Sequence, residues 1–281
     1  MNFTFILLTT IFIYLGILQS KYFLLISYSD GISKISFENR KDFLIYIMIP
    51  FSFLIRLDTF GIKDKKSFKI LNVLSEILGI MSFLSLSFYY IKNILEKSFL
   101  LENKVFLILF YFGLISALLY LAIYDLVNFS IPSIFIRNFL FVIILINLIV
   151  GIIRFFSKYS SSVVFFQNIH LGLLDNLLAG IIFGLIIWFV IKITKDKGLG
   201  TGDIDVIQII GFSLGFPAIV VVFLLTLISG SIISIIYAFI IKKYKGVIVP
   251  FVPFILIGFL ITINFGDKIW EFLKFGSIFN T

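Results

Sequence analysis

Apolar residues run along this chain in long blocks, without alternation. Phe, Ile, Leu and Val dominate stretches of about 20 residues, the length a helix needs to cross the hydrocarbon core of a bilayer. Eight blocks are read, at roughly 2–20, 70–91, 104–125, 137–153, 170–192, 203–216, 217–240 and 248–265. Lipid admits helices or closed barrels, and barrel strands would alternate apolar and polar side chains. The pattern therefore predicts an all-α, polytopic transmembrane helical bundle of about eight spans. The sixth block is shorter than a crossing and ends at Gly215-Phe216-Pro217, so it is expected to be tilted, half-length or fused to the seventh.

Between the first two blocks lies a long loop, residues 21–69. It opens charged from Lys21 to Asp42, then carries an apolar run, Phe43 to Ile55, too short to span. Such a run is expected to be a re-entrant or interfacial piece. The stretch Met1–Ser20 lacks a basic leader region and a small-residue cleavage site, and reads as a retained anchor. A division near residue 100 is expected, with a two-span region and its loop at 1–100 and a six-span bundle at 101–281.

Composition sharpens this picture. The chain is 60% hydrophobic and 14% charged, against about 25% charged in a soluble domain. Its mean hydropathy is +1.16. Cysteine is absent and His170 is the single histidine. A disulfide framework, a thiolate zinc site and a multi-histidine metal centre are thereby excluded. With the N-terminus outside, sixteen of the 23 Lys and Arg fall on inner segments and seven on outer ones. The net charge of +8 thus reads as a topology signal and an attraction to anionic lipid, with no nucleic-acid partner expected. His170 is expected at the outer interface, and Asp175 as a helix cap or headgroup contact.

Ionisable residues in or at the ends of spans raise a functional hypothesis. Asp125 sits where the third span reaches the inner face, in Tyr124-Asp125-Leu126-Val127-Asn128-Phe129-Ser130-Ile131-Pro132. Asp203 sits where the sixth span leaves that face, in Gly198-Leu199-Gly200-Thr201-Gly202-Asp203-Ile204-Asp205. Two carboxyls facing each other across a bundle can divide the labour of peptide hydrolysis, one ionised and one protonated. The glycines at 198, 200 and 202 would give backbone freedom and remove bulk beside Asp203. Snorkelling or capping at span ends is the simpler alternative for both aspartates.

Together these segments resemble the type IV prepilin peptidases, membrane aspartyl proteases of the Gly-x-Gly-Asp class. The family's Asp, six intervening residues and Pro are matched by Asp125 through Pro132. Its Gly-x-Gly-Asp is matched by Gly200-Thr201-Gly202-Asp203. Pro250-Phe251-Val252-Pro253-Phe254 is similar to its Pro-Phe-Gly-Pro-Phe segment. The resemblance implies that Asp125 and Asp203 are the catalytic dyad, supported by Gly200, Thr201, Gly202, Pro132, Pro250 and Pro253. It implies a multi-pass protein of the inner (cytoplasmic) membrane that removes the leader from prepilin or pseudopilin substrates at the cytoplasmic face. No metal or cofactor is implied for proteolysis. Two departures stand out: Asp205 where members often carry Lys, and Val252 where they carry Gly. Presenilin-like enzymes also pair Tyr-Asp with Gly-x-Gly-Asp, but their Pro-Ala-Leu motif is missing.

Residues 1–100 resemble the family's methyltransferase part faintly. Ile49-Pro50-Phe51-Ser52 and Ser75-Glu76-Ile77-Leu78-Gly79 are similar to its motifs, while the zinc-binding cysteines have no counterpart around Leu57–Lys63. The region is degenerate and cysteine-free, so no zinc is expected. Glu76 is the candidate remnant for methylation from S-adenosylmethionine. The competing reading is a membrane scaffold or transporter of the pilus or secretion apparatus. A transporter would show paired helix breaks in related halves, and no half-repeat is found.

Overall fold

The computed structural model describes residues 3–30, 65–89, 101–156, 173–194, 199–242 and 249–275. Among the described residues the regular elements are helices: α1 (Phe3–Asp30), α2 (Lys65–Tyr89), α3 (Leu101–Asn128), α4 (Ser133–Phe156), α5 (Leu173–Thr194), α6 (Thr201–Leu214), α7 (Ala218–Ile241) and α8 (Val252–Phe275). They fall one to one on the eight apolar blocks. Six contain segments long and apolar enough to cross a membrane, from Thr9–Ser27 in α1 to Val252–Lys274 in α8. The described apolar part of α4, Ser133–Ile149, is shorter. The sixth block is a separate 14-residue helix, α6, closed by the turn at Gly215-Phe216-Pro217. The protein is a multi-pass helical membrane bundle. His170, the run Phe43–Ile55 and the segments Ile49–Ser52 and Leu57–Lys63 lie outside the described residues.

Two compact units divide the chain, Met1–Phe129 and Ser130–Thr281. The division expected near residue 100 was drawn from the order of spans and the long loop, a criterion separate from compactness.

In the first unit α1 and α2 run antiparallel with Gly16 against Gly79. A Cβ on either glycine would collide with the other's backbone carbonyl. Lipid offers no hydrophobic drive for pairing helices, so close backbone approach and interhelical polar contacts take that role. One turn further along, Lys21 Nζ meets Glu76 Oε1 at 3.2 Å, with both side chains buried. Asn72 Nδ2 donates to the same oxygen at 3.3 Å. α3 lies parallel to α1, joined by Ser116 Oγ to Gln19 Oε1 (3.3 Å) and by the Phe23–Tyr120 ring pair, 5.2 Å between centroids.

Lys21 corrects the expected first span. The expected span ended at Ser20, with Lys21 opening the charged loop. The helix continues to Asp30, its apolar segment is Thr9–Ser27, and Glu76 supplies the counter-charge. Lys21 therefore leaves the inner-loop tally of basic residues.

In the second unit α5 and α6 are antiparallel. A Cβ on Gly211 would strike the backbone of Gly180, and one on Gly184 would strike Gln208. α4 lies along α6 in the same direction, with Ile131 against Gly202 at one end and Asn147 bonded to Phe212 O at the other. α7 and α8 form a second tight antiparallel pair. There Gly258 faces Val222 O and Thr226, while Gly230 faces the Phe254 ring.

Candidate active site

Asp125 occupies the last turn of α3 and is 6% exposed. The helix stops there because Phe129 adopts a left-handed φ of 50° and its N–H returns to Asp125 O at 2.9 Å. That closure satisfies one of the orphan carbonyls at the helix end. Pro132 follows, and it has no N–H with which to continue a helix. Asn128, one turn from Asp125, donates from Nδ2 to Ser27 O at 3.0 Å. The turn carrying Asp125 is thereby tied to the end of α1. Sequence reasoning passed over Asn128; the only signal was an amide at the end of an apolar run.

Asp203 is the third residue of α6 and is 5% exposed. Its Oδ2 accepts the Gly200 N–H at 2.8 Å, and its own N–H donates to Gly200 O at 3.1 Å. The carboxyl thus reaches back over the first turn, where the helix presents unpaired N–H groups and the positive end of its dipole.

The glycines around it act differently from expectation. Gly200 has φ −92°, open to any residue, and an added Cβ would meet nothing nearer than Asp203 Oδ2 at 3.8 Å. Gly202 is sterically required, since a Cβ there would lie 2.9 Å from Ile131 Cβ and Cδ1. The value of Gly202 is therefore close approach, with no need of φ freedom. Gly198 lies outside the described residues. Thr201 opens α6 and is exposed. The contact brings together two segments singled out from sequence, Ile131-Pro132 and Gly200–Asp203.

The register of α5 against α6 fixes the level of Asp203. With Gly180 opposite Gly211 and Gly184 opposite Gln208, Asp203 falls level with Trp188. That is on the order of 9 Å, six residues of helical rise, short of the end of α5 at Thr194. α5 carries an apolar segment of 21 residues, long enough to cross a bilayer. Asp203 is thus recessed below the end of its neighbour.

The other candidates distribute as follows. Asp205, two residues past Asp203, points to another side of α6. It lies within electrostatic reach of the Arg137 guanidinium on α4. Pro250 is half-buried ahead of α8, and Pro253 is buried in its first turn, where a missing N–H costs nothing. Phe254 beside it packs on Gly230 of α7. Asp175, at the start of α5, accepts the Phe216 N–H through Oδ2 at 3.2 Å. Glu76 stands in the first unit, engaged by Lys21 and Asn72.

No protein-family model matches the chain, and no solved structure matches it. Among curated proteins, the prepilin leader peptidase/N-methyltransferase of Pseudomonas aeruginosa is 29% identical over 117 residues. The match covers 38% of this chain and 40% of that relative. The chain therefore spans about two fifths of the relative's length. This multi-pass helical membrane protein, with buried aspartates at the end of α3 and the start of α6, is similar over that stretch to a peptidase/N-methyltransferase.

Proposed function

We propose that the chain is a membrane-embedded aspartyl endopeptidase that removes the leader from prepilin-like or pseudopilin substrates, with Asp125 and Asp203 as its catalytic pair. The observation that carries this reading is Asp203 itself. A buried carboxyl is held in the first turn of a helix too short to cross, recessed below the end of α5 and preceded by a Gly-Thr-Gly stretch. A carboxyl with no chemical task would be expected at the surface, where solvation is cheaper. The relative's name agrees with this activity.

In the proposed reaction one carboxylate takes a proton from water as the water oxygen bonds to the scissile carbonyl carbon. The tetrahedral species then collapses, the C–N bond breaks, and the partner carboxyl protonates the leaving amine. No metal takes part. Gly202 and Ile131 line one side of the approach to Asp203, and exposed Thr201 marks where an extended substrate would arrive. The proposed location is the inner membrane, with cleavage at the cytoplasmic face. Methylation of the new N-terminus is the second half of the relative's name, and Glu76 is its one candidate residue here.

The test is co-expression with a candidate prepilin, following its mobility on a gel. The unaltered chain is expected to remove the leader, while Asp125→Asn and Asp203→Asn leave it in place. Mass spectrometry of the product's N-terminus reads methylation directly. Cleavage that survives both substitutions would overturn the site assignment. An intact genuine partner pilin with the unaltered chain would favour a scaffold.

A further inference from the structure

A helix end leaves its last carbonyls without helical partners, and by the same register the far end of α6 falls level with the start of α5. At 14 residues, α6 is about 21 Å long against a hydrocarbon core of about 30 Å. Its far end, away from Asp203, is closed by an array of polar side chains. Asn147 Nδ2 of α4 donates to Phe212 O at 2.8 Å and to Ile143 O at 2.9 Å. Asn176 Nδ2 of α5 donates to Asn147 Oδ1 at 3.0 Å. Asp175 Oδ2, one residue away on α5, accepts from Phe216 N–H at 3.2 Å. Gly215 completes the turn with a φ of 68°, and a Cβ there would strike Asn176 Oδ1. Its N–H returns to Gly211 O at 2.9 Å.

We propose that Asn147, Asn176 and Asp175 are positioning residues that hold α6 at one depth and thereby hold Asp203 at its opposite end. The proposal rests on the reading of Asp203 as catalytic. Between Asp203 and Phe212 runs continuous helix, which transmits an axial shift or tilt from one end to the other with little loss. The neutral amides contact two neighbouring helices and the end of α6 together, so α6 is referenced to α4 and α5 at once. Gly202 against Ile131 gives the second fixed point, at the Asp203 end. Loosening the far end leaves the chemistry of Asp203 intact and changes where it stands. A misplacement of about 1 Å is enough to cost on the order of a hundredfold in rate.

The chain has no cysteine, so single-cysteine reporters carry no background. Thr201→Cys places a thiol at the exposed start of α6, and Thr194→Cys places a control at the exposed end of α5. Labelling in membranes with a water-soluble maleimide is compared with and without Asn147→Leu, in the full chain. The expected result is a severalfold change at position 201 with position 194 unchanged. In a cleavage assay without reporters, Asn147→Leu should lower kcat about tenfold or more with KM held, as expected for misplaced chemistry. Asp175→Leu should behave similarly, and Asp175→Asn, which keeps an acceptor for Phe216 N–H, should restore most of the rate. Should Asn147→Leu fail to accumulate, Asn176→Leu replaces it at a half-buried position. Unchanged labelling at 201, or equal losses in Asp175→Leu and Asp175→Asn, would overturn the proposal. If the unaltered chain cleaves nothing, the catalytic reading fails, and the labelling comparison still decides whether the far end sets the depth of α6.

Discussion

In the unit Met1–Phe129 a buried polar contact between helices is an ion pair, Lys21 with Glu76, set within two long helices. In the unit Ser130–Thr281 the corresponding feature is neutral amides gathered at the end of a short helix, Asn147 on Phe212 O and Asn176 on Asn147 Oδ1. Both units also bring helices to backbone contact through glycine, Gly16 with Gly79 in one and Gly180 with Gly211 in the other. The difference follows from what each site must neutralise. A full-length helix has its backbone satisfied within itself, so a side chain buried along it answers to another side chain. A helix that stops short exposes partial charges on its own carbonyls, and amide donors suffice for those. Only the ion-pair arrangement carries a large penalty when one partner is removed.

That contrast can be broken most sharply at Glu76. Glu76→Leu leaves Lys21 as a buried cation without its counter-charge, and should cost about 3–5 kcal/mol, as for other broken buried pairs. Adding Lys21→Met should recover most of the loss, since two apolar side chains replace two charges. Unfolding in detergent micelles, followed by helical signal against denaturant, measures both. Equal stability of the single and double variants would show that the pair does not hold α1 to α2.

Next in size is the glycine contact shared by both units. Gly211→Val drives a side chain into the Gly180 backbone, and Gly79→Val does the same at Gly16. Each should lose about 1–3 kcal/mol through forced separation of a helix pair, read by the same unfolding assay. The Gly211 variant should in addition lower peptidase activity, because α6 carries Asp203; the Gly79 variant should lower stability alone.

The smallest and most discriminating comparison lies within one motif. Gly200→Ala makes only an ordinary contact with Asp203 Oδ2 and should change stability by no more than about 0.5 kcal/mol, as at an ordinary exposed site. Gly202→Ala must displace Ile131 beside Asp203, and its expected signature is a lower kcat in the prepilin cleavage assay. Equal activity in the two variants would remove the close contact from the account of the site.

Much of the helix layout was legible in advance, because each block of apolar residues answers locally to bilayer thickness. The end of the sixth block at Gly215-Phe216-Pro217 was legible from its glycine and proline, but not whether that block was tilted, half-length or fused to the seventh. The two aspartates stood out because a carboxyl at a span end is rare. Lys21 was misread for the same local reason: a lysine after Ser20 looks like the end of a span when its partner is invisible. Gly200 was credited with a freedom that its φ of −92° does not use. Asn147 and Asn176 drew no notice, since an isolated amide in an apolar run carries no signal of what it bonds.

The sequence by itself determined that this is a helical membrane protein, where most of its helices lie, and which carboxyls deserve a chemical hypothesis. Those properties depend on the local cost of placing each residue type in hydrocarbon, which short windows of sequence express. The tertiary structure alone decided that Lys21 belongs inside a helix, that Gly202 and not Gly200 is sterically required, and that three polar side chains close the end of α6. Each of these depends on a partner distant along the chain, Glu76 for Lys21, Ile131 for Gly202 and Phe212 for Asn147. Pairing energy of that kind exists only once the helices are packed.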